Sequence, residues 1–316
     1  MTTATIALPN ISQAGLGINP VLSKVAQGYT NGELVGSVLF PRIDVPARAG
    51  QVIQFGKESF RQYNMRRAPG AAIQTVNLGF KGIPYALLQD AIGVPLPRET
   101  VDEAQVIAGV FLPTQAIQMQ MDIMLLQLER DQAALATTAA NYNASNVLAA
   151  TGTAMWSDPS CNPIAQVLEA REVIRSKIGR YPNTMLISAK AFAALKTNPA
   201  VRDQLKYTGS NLVTTAMLAS WFEVQKVVVA TAVTATDDSD DLGDVWGSNA
   251  VLAYVPQQAS TIAQPSFGYT YQLEGMPMVQ DGYFKHDTNS FVYNMFFERN
   301  PYITSHDSGF LFTGLV

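Results

Sequence analysis

The 316-residue sequence predicts an α+β fold, in which an irregular start leads into a hairpin, a long helix, an α/β unit and a β-rich end. Three observations predict this class. Apolar residues recur at helical spacing over residues 113–140, and helix and strand signals alternate over residues 161–256. Alternating apolar residues then mark strands within residues 257–316. The length suits one large domain or two smaller ones.

The first part of the chain predicts an arm and a hairpin. Residues 1–45 show no sustained period, and Gly, Asn and Pro interrupt them, so we expect an arm with a short helix near residues 21–27. Two strand patterns, "GQVIQF" and "IQTVNLGFK", then enclose "GKESFRQYNMRRAPG". This arrangement predicts a long β-hairpin with a basic tip containing Lys57, Arg61, Arg66 and Arg67. A lone two-stranded ribbon is marginally stable in water, so the hairpin needs a partner surface.

Residues 113–140 give the strongest helix signal. Pro113 suits the first turn of a helix. One apolar stripe contains Ile117, Met121, Met124, Leu128 and Leu135. A second apolar face contains Met119, Ile123 and Leu126, and we expect a helix that is apolar on two sides to be buried within its domain.

Residues 161–256 read as a compact α/β unit with a small sheet. Asn162 and Pro163 begin a helix that Gly179 ends. The segment "TMLIS" is a short buried strand, and Ser188 caps the next helix. The apolar segments "KVVVATAV" and "AVLAYV" predict two further strands, separated by the acidic loop "TDDSDDLGD".

Composition points towards association with other chains. Charged residues make up only 15% of the sequence, below the usual quarter, which indicates that some exterior surface is covered. Residues 1–81 have a charge balance of +5, and the remainder has −9. The basic front of one copy can therefore attract the acidic body of another, although local surface variation would give the same numbers.

Residues suited to catalysis are scarce. Cys161 is the single cysteine and is expected to be a small buried filler, and His286 and His306 lack metal-ligand spacing. Neither a glycine-rich phosphate loop nor a G-x-S-x-G motif occurs. The acidic run at residues 237–244 lacks the calcium-loop pattern and reads as a solvated loop, with loose cation binding as the alternative. We therefore expect no catalytic, cofactor-binding or metal-binding residues.

Targeting signals are also missing from the sequence. It contains neither a secretory signal pattern nor an apolar run of membrane-spanning length, so we expect synthesis in the cytoplasm of the producing cell. The basic tip, with Phe60 and Tyr63, could also bind nucleic acid, but four basic residues without a fold signature make this a weak indication.

The order of these segments, together with several phrases, resembles the major capsid proteins of tailed phages and prophages. The phrases are "WSDPSCNPIAQVLEAREVIRSKIGRYPNTMLISAKAFAALKTNPAVRDQLKYT", "LASWFEVQKVVV", "VWGSNAVLAYVP", "SFGYTYQLEG" and "ITSHDSGFLF". The resemblance runs from about residue 30 to the end and is most specific over residues 156–310.

The resemblance implies the Hong Kong 97-type capsid fold. On that fold, residues 1–45 resemble the N-terminal arm, and residues 46–92 resemble the extended loop that lies over a neighbouring subunit. Residues 93–160 and 257–316 resemble the peripheral domain with its spine helix, and residues 161–256 resemble the axial domain. The four basic tip residues would then contact another subunit.

The implied function is a structural one. The chain would assemble with itself into hexamers and pentamers and then into an icosahedral shell around double-stranded phage DNA, without sequence-specific binding or a membrane. A separate scaffolding protein, a portal and decoration proteins are the other implied partners. The virion capsid is the implied location, after synthesis in the host bacterium.

Two alternatives stay open from the sequence. An encapsulin, a shell that packages an enzyme, would share the fold. An enzyme built on residues 161–256 is disfavoured because the sequence shows neither a nucleophile–base pair nor a cofactor loop.

Overall fold

The computed structural model describes residues 17–55, 66, 80–106, 111–205, 212–235, 241–256 and 266–316. The helices in these ranges are α1 (Pro20–Gly28), α2 (Arg98–Val106), α3 (Leu112–Thr137), α4 (Pro163–Ile178), α5 (Ala189–Thr197), α6 (Pro199–Leu205) and α7 (Thr215–Trp221).

The strands in the same ranges follow in chain order. They are β1 (Arg42–Val45), β2 (Ala49–Phe55), β3 (Phe80–Ala86), β4 (Leu88–Pro97), β5 (Val147–Ala149), β6 (Thr184–Ser188), β7 (Lys226–Ala230), β8 (Val233–Ala235), β9 (Leu242–Asp244), β10 (Ala250–Ala253), β11 (Gly268–Leu273), β12 (Met278–Val279), β13 (Tyr283–Lys285), β14 (Ser290–Ile303) and β15 (Gly309–Thr313).

The chain divides into two compact units. The first comprises the described residues of Met1–Asn31, together with Leu87–Gln127 and Gln272–Arg299. The second comprises the described residues of Gly32–Ala86 and Leu128–Tyr271, together with Asn300–Val316. Each unit has its own apolar core, so each is described separately.

In the first unit, α1 and the first half of α3 share a core with β12 and β14. Asn19 caps α1 by accepting from the backbone N–H groups of Val21 (3.1 Å) and Leu22 (3.0 Å). The predicted short helix near residues 21–27 is therefore confirmed, with Pro20 in its first turn. The core brings together Leu22, Ala26, Ile117, Met121, Met124, Met276, Val279, Met295 and Phe297.

The two apolar faces of α3 have different surroundings. The predicted stripe is buried at Ile117, Met121 and Met124. The expectation that the second face is also buried is wrong, because Met119 is 59% exposed and Ile123 is 43% exposed. The helical period turns these two side chains away from the core that the first stripe enters.

Strand β4 lies at the edge of the sheet in the first unit. Among the described strands it pairs only with β14, antiparallel, from Ser290↔Pro97 to Arg299↔Leu88. The N–H of Arg98 donates to the carbonyl of Asn289 (3.0 Å), so the alternation of the ladder turns the nitrogens of Pro97 and Pro95 towards the outer edge. These positions need no donor towards β14, which is why proline is compatible with the strand.

The second unit contains a five-stranded sheet in the order β5–β15–β10–β6–β7. Strands β10 and β15 are antiparallel, as are β10 and β6, whereas β6 and β7 are parallel. The predicted strands at "TMLIS", "KVVVATAV" and "AVLAYV" are therefore neighbours. The sheet is larger than the α/β unit that the sequence indicated, because β5 and β15 join it from outside residues 161–256.

Alternate residues of β6 enter different cores. Met185 and Ile187 pack with Trp156 and Phe222 on one side, whereas Leu186 packs with Trp246 in a second cluster. All five residues of β6 are buried. A central strand covered on both faces explains why this segment is continuously apolar rather than alternating.

The predicted helix ends around this sheet are confirmed. The side chain of Asn162 accepts from the N–H of Ala165 (3.2 Å) at the start of α4. Gly179 ends the helix with φ of 68°, a left-handed conformation that glycine adopts without strain. Ser188 caps α5 by accepting from the N–H of Ala191 (3.3 Å).

A buried carboxylate on the second half of α3 connects three parts of the second unit. Glu129 is 2% exposed and accepts from the indole N–H of Trp246 (2.7 Å). It also accepts from the backbone N–H groups of Gly36 (2.7 Å) and Val35 (3.2 Å). Burial raises the pKa of Glu129 above its ordinary value of 4.5, while the bonds from Gly36, Trp246 and Val35 act in the opposite direction.

We expect Leu186→Asp to destabilise the subunit by about 3–5 kcal/mol, because it places a charge without a partner between two apolar cores. Ser188→Ala removes one capping bond and should lower the free energy of unfolding by only about 1 kcal/mol. Denaturant unfolding followed by circular dichroism measures both. Ala193→Asp, at an exposed position of α5, is the control for the added charge. Equal midpoints for Leu186→Asp and Ala193→Asp would contradict the burial of β6.

We expect Glu129→Gln to destabilise the subunit by about 1–3 kcal/mol, because an amide has one acceptor oxygen and leaves a buried N–H unpaired. A carboxyl with a raised folded-state pKa stabilises most at pH below 4.5, and its contribution falls as the pH rises through the folded-state pKa. The stability of the wild type relative to Glu129→Gln should therefore grow as the pH falls from neutral towards 4.5. A difference that shrinks over this range would show that the carboxyl is not desolvated.

Candidate inter-subunit surface

The basic residues predicted to contact another subunit belong to the segment between β2 and β3. Lys57, Arg61 and Arg67 lie outside the described residues, and Arg66 is described and exposed. The strand pattern "IQTVNLGFK" also lies outside the described residues up to Phe80, where β3 begins. The role of the four basic residues therefore stays a prediction, and the described strands show what supports the segment.

The predicted first strand and its antiparallel pairing are confirmed, whereas β3 overlaps the predicted second strand only at Phe80 and Lys81. Strands β2 and β3 pair antiparallel over seven residues, from Ala49↔Ala86 to Phe55↔Phe80. Among the described strands they pair with no third strand. The exposed positions include Gln51, Gly82 and Pro84. The ribbon must therefore be held by contacts at the end where it joins the rest of the second unit.

An aromatic stack provides one of these contacts. Tyr85 on β3 is 7% exposed, and its ring stacks on that of Tyr271 with centroids 5.1 Å apart. The partner of Tyr85 across the ribbon is Gly50, where a Cβ would lie 2.6 Å from the Tyr85 ring. The glycine therefore lets the ring lie across the opposite strand, which fixes the ribbon against the core of the second unit.

Hydrogen bonds complete the attachment. The N–H of Ala86 donates to the hydroxyl of Tyr302 (3.0 Å), and that hydroxyl donates to the carbonyl of Ala86 (2.9 Å). The side-chain amide of Asn300 also donates to the same carbonyl (3.0 Å). Both backbone groups of the last ribbon residue are thus paired with the end of β14.

The tyrosines beneath the ribbon are uncharged groups. Burial raises the pKa of Tyr269 to about 12. Burial also raises the pKa of Tyr271 strongly, and nearby Tyr269 and Tyr85 add to the effect. The ribbon base therefore depends on packing and on uncharged hydrogen bonds rather than on ion pairs. Sequence reasoning missed Tyr85, Tyr271 and Tyr302, because their contacts join segments far apart in the chain and no local pattern marks them.

The described residues offer no sign of a metal site or a membrane span. No group of three or more His, Cys, Asp or Glu side chains there could hold a metal ion. No helix in the same ranges is both long and apolar enough to cross a membrane. Cys161 is buried, as predicted, and burial followed by the nearby Asp158 charge raises the pKa of its thiol. A raised pKa suits a packing role better than a nucleophilic one.

The comparisons with known proteins identify the class. Residues 129–288 match the family of phage major capsid protein E. The major capsid protein of Burkholderia phage BcepMu is 34% identical over 310 residues, which cover 94% of this chain and 96% of the relative. The chain therefore belongs to the major capsid proteins of phages.

A solved structure supports this assignment. The crystal structure of a phage-related protein from Bordetella bronchiseptica is 34% identical, with a TM-score of 0.82, and the match covers 94% of this chain and 97% of that one. As a phage major capsid protein, the chain forms the shell of the virion. The family is structural and is not an enzyme family, so the enzyme alternative is set aside.

More distant structures share the fold alone. The mature capsid of bacteriophage PhiM1 is 10% identical with a TM-score of 0.53, covering 92% of this chain and 90% of that one. An encapsulin complex from Synechococcus elongatus is 12% identical with a TM-score of 0.53, and the match covers 89% of this chain and 87% of the encapsulin chain. The encapsulin is thus a distant fold relative, and the sequence relationship favours the phage shell.

We expect Tyr85→Ala to loosen the ribbon base while leaving the five-stranded sheet intact. Hydrogen exchange should accelerate in peptides covering residues 49–55 and 80–86, because the stack on Tyr271 is lost, and should stay unchanged in residues 184–188. Tyr85→Phe keeps the ring and loses one bond to the carbonyl of Ala47 (3.3 Å), so it is the matched control. Equal exchange in the two variants would show that the ring does not anchor the ribbon.

Proposed function

We propose that this phage capsid protein adopts the Hong Kong 97-type fold and assembles through hexamers and pentamers into an icosahedral shell around double-stranded DNA. The observation that supports this most directly is a two-stranded ribbon fixed only at its base among the described residues. Such a ribbon is stabilised when it lies on a second molecule.

The regions of the chain then take the following roles in our proposal. Residues 1–45 form the arm, and residues 46–92 form the extended loop. Residues 93–160 and 257–316 form the peripheral domain, with α3 as its spine helix. Residues 161–256 form the axial domain, with β5 and β15 completing its sheet. We include a separate scaffolding protein, a portal and decoration proteins in the proposal as further partners.

We further propose that the loop tip contacts a neighbouring subunit through Lys57, Arg61, Arg66 and Arg67. Residues 1–81 have a charge balance of +5, and the rest of the chain has −9. An exposed ion pair contributes only about 0–1 kcal/mol. The same contact recurs at every subunit of a closed ring, so small contributions accumulate over the shell.

We expect the Arg61→Glu, Arg66→Glu, Arg67→Glu triple variant to fold normally and to fail in assembly at low salt. Circular dichroism reports folding, while light scattering and negative-stain microscopy report shells. Added salt should restore some assembly, because it screens the new repulsion beyond about 8–10 Å.

Two controls accompany this experiment. Replacing the same arginines by glutamine removes the attraction without adding repulsion, so its defect should be weaker. Glutamate at the exposed positions Lys24, Arg202 and Lys226 matches the charge change outside the loop. Normal shells from the arginine-to-glutamate variant at low salt would refute the contact.

A further inference from the structure

The first unit contains an apolar cleft that the chain's established role does not explain. It has a volume of about 200 Å³ and lies where β4, α2, the start of α3 and β14 meet. Phe291 at its margin is 37% exposed. The lining side chains are all uncharged, and they include Leu96, Val101, Ala104, Leu112 and Tyr293. A concave surface of this kind suits an apolar occupant without charge.

The described part of the chain begins beside this cleft. The carbonyl of Gly17 accepts from the N–H of Asp281, and the N–H of Asn19 donates to the carbonyl of Val279 (3.0 Å). Residues 17–19 therefore run antiparallel to residues 279–281. Because paired antiparallel strands run in opposite directions, the chain that precedes Gly17 is directed along residues 282–284.

The residues along this direction support the margin of the cleft. A Cβ at Gly282 would lie 2.7 Å from the ring of Tyr293, so that ring rests against the Gly282 backbone. The ring of Phe284 packs on that of Phe291, with centroids 5.2 Å apart. Tyr293 and Phe291 both line the cleft. An extended chain advances about 3.3 Å per residue, so a few residues before Gly17 are enough to reach the cleft.

The sequence that precedes Gly17 matches the chemistry of the lining. Residues 1–16 lie outside the described residues and read "MTTATIALPNISQAGL". This stretch contains no Asp, Glu, Lys, Arg or His, and its apolar side chains include Ile6, Leu8 and Ile11. Placing such a segment in the cleft removes apolar surface from water and desolvates no charge. Its position in the chain and its composition thus point to the same occupant.

We propose that the cleft between α2 and β14 binds an aliphatic side chain, Ile6 or Leu8, from the same chain. The segment lies beside Tyr293 and Phe291, and the contact holds the start of the arm on its own subunit. This inference goes beyond the proposed function, which assigns residues 1–45 to the arm without placing their first part. It also does not depend on where the loop tip binds.

Disulfide trapping tests the location. The full chain carries Ala104→Cys with either Ile6→Cys or Leu8→Cys, in a Cys161→Ala background. Mild oxidation should produce a within-chain disulfide with at least one of the two pairs, because the Cα atoms of a disulfide lie within about 7 Å of each other. The matched control is Asp102→Cys with the same partners, since Asp102 is exposed on the other side of α2. The yield with Ala104→Cys should be several-fold higher.

Mixing isotopically labelled and unlabelled chains shows which molecule supplies the segment. Mass spectrometry of the disulfide-linked peptides should show pairs from one chain, with little mixing of labels. Disulfides that form mainly between labelled and unlabelled chains would show that a second copy fills the cleft, which overturns the proposal. Equal yields at positions 102 and 104 would also overturn it.

Hydrogen exchange tests whether the segment covers the cleft. Ile6→Ser with Leu8→Ser should accelerate exchange several-fold in peptides covering residues 98–106 and 290–293, and should leave residues 184–188 unchanged. Thr3→Ser with Gln13→Ser alters the same segment without removing an aliphatic side chain, so it is the control. Unchanged exchange around the cleft in the Ile6→Ser, Leu8→Ser variant would refute the contact.

These outcomes are distinct from those of the proposed function, because neither measurement requires a shell. Within-chain disulfides together with faster exchange support the inference, even if the arginine variants form normal shells. Failure of both tests refutes the cleft contact and leaves the shell proposal as it stands.

Discussion

The buried carboxylate of Glu129 is the interaction on which the second unit most depends. From its position on α3, it accepts hydrogen bonds from the backbone N–H groups of Val35 and Gly36 and from the indole N–H of Trp246 beside the five-stranded sheet. The packing around this carboxylate is also tight, because a Cβ at Gly36 would collide with the side chain of Gln132. Because the three donors are buried together, loss of one acceptor position affects the entry of the chain, the helix and the sheet at once.

The chain combines parts that are stable alone with parts that need another molecule. The five-stranded sheet has apolar clusters on both faces, whereas the β2–β3 ribbon is fixed at one end by Tyr85 and Tyr302. The exposed apolar side chains of Met119 and Ile123 on α3, and of Phe111 just before it, belong to the same category. A shell subunit needs this division, because its folded core must exist before assembly while its contact surfaces are completed by neighbours.

Local signals in the sequence predicted much of the fold. Asn162, Gly179 and Ser188 mark helix ends because capping depends on a few adjacent backbone groups. The exposure of Met119 and Ile123 was not predictable, because helical spacing shows that a face is apolar but not what covers it. The basic character of the loop tip was visible in composition. Its support by Tyr85 and Tyr271 was not, since that stack joins residues far apart in the chain.

The outer edge of β4 has a consequence for a protein made in many copies inside one cell. A ten-residue strand with free donors on one side could pair with the same strand of another molecule and divert subunits into aggregates. Pro95 and Pro97 have no N–H to offer on that edge, so the C-terminal end of the strand cannot template such pairing. The two prolines thus disfavour edge-to-edge strand pairing in a protein whose subunits must associate through other surfaces.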